Sequence, residues 1–127
     1  MPAPRFYPTS DEVIAIHALQ IELHGGASGL RDRGQLEAAI HRPQTGYYAD
    51  LIEEAAALWE SLSQNHCFVD GNKRVAIVTT FVFLQANGVR VTASDEERLA
   101  FVKQHYEAMT FDFDVVSTWL RANTEEL

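Results

Sequence analysis

With 127 residues the chain has the size of one domain, and 46% hydrophobic with 22% charged residues is an ordinary globular balance. No apolar run reaches the ~18 residues of a membrane span, and Met1-Pro2-Ala3-Pro4-Arg5 lacks the basic-then-apolar order of a signal peptide, so a cytoplasmic protein with no membrane partner is expected. A net charge of -8 argues against direct nucleic-acid binding, and the single cysteine, Cys67, excludes an internal disulfide.

Thr9-Ser10-Asp11-Glu12 has capping-box spacing, and Val13, Ile14, Ile16, Leu19, Ile21 and Leu23 recur at helical intervals behind it, which predicts a first helix. Gly25, Gly26 and Gly29 end that helix in a loop of small residues. Asp32 is placed to cap a short helix carrying Leu36, Ala39 and Ile40, closed by Pro43, and residues 44–49 show no period. Asp50 and Glu53 open a third helix with Ile52, Ala55, Ala56, Leu58, Trp59 and Leu62 on its stripe, fading at Gln64-Asn65.

Residues 75–84 are apolar on nearly every face. Their β-branched and aromatic content suits a strand, but their length and the closing Gly88 favour a fully buried helix. Val89-Arg90-Val91 suits one short strand. Ser94-x-x-Glu97 starts a helix through Leu99, Phe101, Val102, Tyr106 and Met109, and a last helix holds Val115, Val116, Trp119 and Leu120. With no repeat or linker, the expected fold is mainly α: one compact domain over residues 1–127 around a buried central helix, with at most a short β-hairpin.

The start of that central helix is odd as packing. His66-Cys67-Phe68-Val69-Asp70-Gly71-Asn72-Lys73-Arg74 places two cations where they oppose the helix dipole, and buried charge is costly without a partner. It makes sense as an anion site, because unpaired N–H groups and the positive dipole end together favour phosphate. Gly71 would let phosphate approach the backbone, Lys73 and Arg74 would supply charge, and Asn72 would fix the turn or donate to phosphate. Asp70 repels phosphate directly and so implies a bridging Mg²⁺. His66 is the nearby residue type suited to take a proton from an attacking hydroxyl near neutral pH, and Phe68 would pin the loop to the core.

The string His66-x-Phe68-x-Asp70-Gly71-Asn72-Lys73-Arg74 resembles the signature of the Fic/Doc (Fido) family. Lys73, where AMP-transferring Fic proteins commonly carry glycine, resembles the Doc-type (death-on-curing) branch of toxin-antitoxin pairs. His24-Gly25-Gly26, Gly29-Leu30-Arg31-Asp32, Arg42-Pro43-Gln44 and Asn87-Gly88-Val89 extend the likeness over most of the chain. The resemblance implies the Fido fold, with His66 as catalytic base, Asp70 as Mg²⁺ ligand and Gly71, Asn72, Lys73 and Arg74 as the ATP-phosphate site. It also implies transfer of the γ-phosphate of ATP to a threonine of elongation factor Tu, with inhibition of translation, and an antitoxin acting in trans. Thr45, Tyr47 and Tyr48 fall where Fic-type folds carry a flap that aligns the target segment as an added strand. The inhibitory pattern of some Fic proteins is not matched, since Thr92-x-x-x-Glu96 is followed by Glu97.

AMP transfer by the same residues is the nearest alternative, and a catalytically idle partner-binding module is the second. His66 with Asp70 lacks the further His or Cys of a zinc site. His17, His24, His41 and His105 read as structural or surface residues, and Cys67 as a small packing residue.

Overall fold

The computed structural model describes residues 4–127. Among them are six α-helices: α1 (Ser10–His24), α2 (Arg33–His41), α3 (Leu51–Gln64), α4 (Asn72–Ala86), α5 (Asp95–Glu107) and α6 (Phe113–Ala122). One 3₁₀ turn (Arg42–Gln44) follows α2, so Pro43 converts the helix to a tighter turn instead of ending it outright.

The helix starts follow from local chemistry. Thr9 and Glu12 form the full capping box of α1, as Ser94 and Glu97 do for α5, while Asp32 and Asp50 accept from the third backbone N–H of α2 and α3. Glu97, which breaks the inhibitory pattern, is committed to that cap. The α5 helix stops at Glu107, short of Met109, which sits at φ 57 and is exposed.

Burial differs from the expectation for the central helix. The most enclosed helix is α3, buried from Glu54 to Trp59, whereas α4 hides one face (Val75, Ala76, Thr79, Thr80, Phe83, Leu84) and exposes Val82. Ala55, Ala56 and Ala57 explain this, because small side chains let neighbours approach α3 from several sides. Trp59 of α3 is fully buried and meets Phe81, Phe101, Phe111 and Trp119 edge-on at centroid distances of 5.5 to 5.8 Å, which ties α3 to α4, α5 and α6.

The sheet is antiparallel and two-stranded, β1 (Val89–Val91) with β2 (Thr124–Glu126), in the register Val89 to Glu126, Arg90 to Glu125 and Val91 to Thr124. It joins the end of α4 to the end of α6 and is not a hairpin. Residues 45–49, where the resemblance places a flap, form no strand. Tyr48 is held there by Arg42 Nε at 2.7 Å and packs on Phe113, while Tyr47 is 83% exposed. No helix among the described residues is long and apolar enough to cross a membrane.

Candidate active site

The polar string lies between the two best-packed helices, leaving α3 at Gln64 and entering α4 at Asn72. The glycine-rich loop after α1 holds it like a short strand. Arg31 and Asp32 N–H donate to the Cys67 carbonyl at 2.8 and 3.0 Å, Val69 N–H donates to the Gly29 carbonyl at 3.0 Å, and Leu30 bridges antiparallel to Phe68. Phe68 is 1% exposed, as its role of pinning the loop requires. Cys67 is buried beside it, and burial pushes its thiol up to about 11, so it packs and does not react.

His66 adopts φ 52, a left-handed conformation that costs a non-glycine residue about 1–2 kcal/mol. Arg31 Nε donates to the His66 carbonyl at 2.7 Å and holds the residue there with its side chain exposed. Asn72 grips the loop from the other end: its Oδ1 accepts from Phe68 N–H and its Nδ2 donates to the Phe68 carbonyl, both at 3.0 Å. Of the two roles open to Asn72, fixing the turn is the one its bonds perform.

Gly71 is the N-cap of α4 at φ 77, and a Cβ there would lie 3.2 Å from Ile21 Cδ1 and 3.5 Å from His17 Nε2. Its lack of a side chain therefore suits both the turn and the packing on α1. The α4 start carries no side-chain cap and no acidic residue in its first turn. Gly71 N–H is taken by Asp70 Oδ1 at 2.8 Å, which leaves the N–H groups of Asn72, Lys73 and Arg74 without intrahelical partners.

Asp70 Oδ2 also accepts from Ala27 N–H at 3.2 Å, and these two backbone donors, that of Ala27 foremost, hold the carboxyl below the usual carboxylate range. Lys73 Nζ stands over the Tyr106 ring at 4.3 Å, and Arg74 donates to the Gly25 carbonyl at 3.2 Å. His66 and the run Asp70 to Arg74 line one cavity of about 330 Å³ with Ser63 and Val69. A cavity of about 750 Å³ lies elsewhere, between α5 and α6, over Phe101, Val115 and Trp119. The smaller one brings together an imidazole, a carboxylate and two cations.

Among the described residues no three His, Cys, Asp or Glu side chains cluster to hold an ion unaided. One exposed hard carboxylate beside an anion cradle nevertheless fits Mg²⁺, which keeps waters and shares its shell with substrate phosphates.

Two contributors were not legible as such. His17, 3% exposed, stacks on Phe68 at 3.9 Å and 9° and places Nε2 2.7 Å from the Asp70 carbonyl oxygen; its only sequence signal is its register with Val13 and Gln20 on the buried face of α1. Arg31 entered only as part of the Gly29-Leu30-Arg31-Asp32 likeness, with no role of its own.

Residues 7–84 match the model of the Fic/DOC family. A protein named Toxin Doc from Mycolicibacterium smegmatis is 38% identical over 102 residues, 76% of this chain and 78% of the relative. A protein named Protein kinase doc from Escherichia phage P1 is 38% identical over 90 residues, 68% of this chain and 71% of the relative.

Proposed function

The chain belongs to the Fic/DOC family, in its Doc-type branch, and from that premise we propose that it is a toxin of a toxin-antitoxin pair that phosphorylates a threonine or serine hydroxyl of a protein. The observation that carries this reading is the start of α4, which has no side-chain cap and whose Asn72, Lys73 and Arg74 line one cavity with His66 and Asp70. Phosphate is the ligand such a helix end favours.

In this reading ATP lays its phosphates on Asn72, Lys73 and Arg74, with Gly71 shaping the turn. Asp70 would hold Mg²⁺, which when bound neutralises phosphate charge. The His66 imidazole takes the proton from the attacking hydroxyl; its oxygen bonds to the γ-phosphorus as the bond from that phosphorus to the bridging oxygen breaks, and ADP leaves with the electron pair. Lys73 supports γ- over α-phosphoryl transfer, since its side chain takes space that a glycine would leave to the nucleotide. The target is a translation factor, for which elongation factor Tu is the first candidate, and a partner antitoxin restrains the toxin in trans.

Expression in a bacterial host tests the catalytic account: growth arrest is expected from the native chain and not from His66→Ala. Equal arrest by both would leave partner binding as the source of toxicity.

A further inference from the structure

His17 is a costly residue for its place. It lies on the buried face of α1, where phenylalanine or leucine would fill the same space without a polar nitrogen to satisfy. Its ring lies flat on Phe68, and its Nε2 meets the Asp70 carbonyl at 2.7 Å. A carbonyl only accepts, so Nε2 carries the hydrogen and donates.

Asp70 is reached once from α1 and once from the loop that follows it. His17 holds its backbone carbonyl, and Ala27, just past the α1 end, donates to its carboxylate. The Asp70-Gly71 peptide is thus clamped beside a left-handed glycine, the residue type that resists rotation least. Freeing the carbonyl would let that peptide turn, carrying with it the Asp70 carboxylate and the first N–H groups of α4.

We propose that His17 is the positioning residue of this site: through its bond to the Asp70 carbonyl it fixes the carboxylate and the phosphate-facing helix start in one arrangement. The proposal rests on the phosphotransfer reading for its functional consequence, and on the geometry alone for its structural one. A residue that only filled the core would affect stability and leave the site's behaviour alone.

The test compares the full chain with His17→Phe, which keeps a stacked ring without a donor, and His17→Gln, which restores a donor near the Nε2 position. Outer-shell partners of metal sites typically change affinity or activity by about 10- to 100-fold, so His17→Phe should weaken Mn²⁺ binding, measured with a non-hydrolysable ATP analogue, by about 10-fold. It should lower kcat similarly with little change in KM for the protein substrate, and His17→Gln should recover part of both. Amide exchange at Gly71 and Val75, whose N–H groups are bonded to Asp70 Oδ1 and to the Gly71 carbonyl, should quicken in His17→Phe.

Wild-type Mn²⁺ affinity and unchanged exchange in a folded His17→Phe would overturn the proposal. If the native chain transfers nothing from ATP, the phosphotransfer reading fails, and exchange at Gly71 and Val75 still decides the clamp. If His17→Phe does not fold, His17→Gln against His17→Asn decides it, because only the longer amide reaches the carbonyl; equal exchange in the two would overturn the clamp.

Discussion

Lys73 Nζ lies 4.3 Å from the centroid of the Tyr106 ring, and that ring is itself stacked on Phe111 at 4.7 Å. The residue that distinguishes the Doc-type string is therefore parked on an aromatic face supplied by α5, and the ring cannot swing away without disturbing the core. A cation over a ring gains about 0.5–1 kcal/mol at an exposed site, so Tyr106→Leu should reduce phosphoryl transfer by about 2- to 5-fold. Tyr106→Phe should retain the rate, and because the Tyr106 hydroxyl is buried with the Ser63 hydroxyl as its neighbour and no well-formed hydrogen bond, its removal should shift Tm little. Steady-state kinetics with thermal denaturation checks both; a rate loss in Tyr106→Phe equal to that in Tyr106→Leu would contradict the role given to the ring face.

Gly26 bears on Asp70 directly. At φ 114, a Cβ there would sit 2.7 Å from Asp70 Oδ2, closer than the carboxylate tolerates. Gly26→Ala should cost about 1–2 kcal/mol of stability through its backbone conformation, and should cut transfer by at least ~10-fold by displacing the carboxylate. Raised Mg²⁺ should recover part of the rate. A variant with native activity would show that the Asp70 position matters little.

Stability in acid depends on the start of α3. Arg121 donates to Asp50, and this bond, ahead of the backbone donors of Glu53 and Ile52, lowers the Asp50 carboxyl below its ordinary value. A depressed carboxyl stabilises the fold fully above its unfolded value of about 3.9 and loses that contribution as pH falls through the lower folded value. Arg121→Ala moves the folded value upward, so the variant should unfold at higher pH in an acid titration. Both side chains are about half exposed, which limits the loss near neutral pH to less than ~1 kcal/mol. An acid midpoint identical to that of the native chain would exclude this ion pair as a contributor.

Cys67 supplies a control on the integrity of the site. With the thiol buried and pushed up to about 11, iodoacetamide should label it only on unfolding. Labelling of the folded chain at the rate of a free thiol would mean that the loop opens far more often than its bonds to Gly29, Arg31 and Asp32 imply.

Much of the fold was written locally. Thr9 with Glu12, Asp32, Asp50 and Ser94 with Glu97 are cap signals acting over three residues, and each marks a helix start. The polar string was legible for the same reason, since its charges contradict the helix they begin. What distance in sequence separates was hidden. Thr124-Glu125-Glu126 has no strand character of its own and becomes a strand through pairing with Val89-Arg90-Val91. His17 meets Asp70 across 53 positions, Arg31 meets His66 across 35, and Gly71 packs closely against Ile21 and His17. None of these relations leaves a periodicity to read.

In the proposed reaction the nucleotide's direction in the site would separate phosphoryl from AMP transfer, with Lys73 as the residue that sets it. Lys73→Gly should lose γ-phosphoryl transfer, and any AMP transfer it gains would arise from reversed nucleotide binding. A variant that retains the native reaction and the native nucleotide orientation would remove Lys73 from that role.

The most direct measurement incubates the chain with Mg²⁺, purified elongation factor Tu and ATP labelled in parallel at the α or the γ position. The account predicts γ label on a threonine or serine of the factor, no α label, and neither with His66→Ala. Label retained from the α position would make the chain an AMP transferase and contradict the phosphotransfer reading.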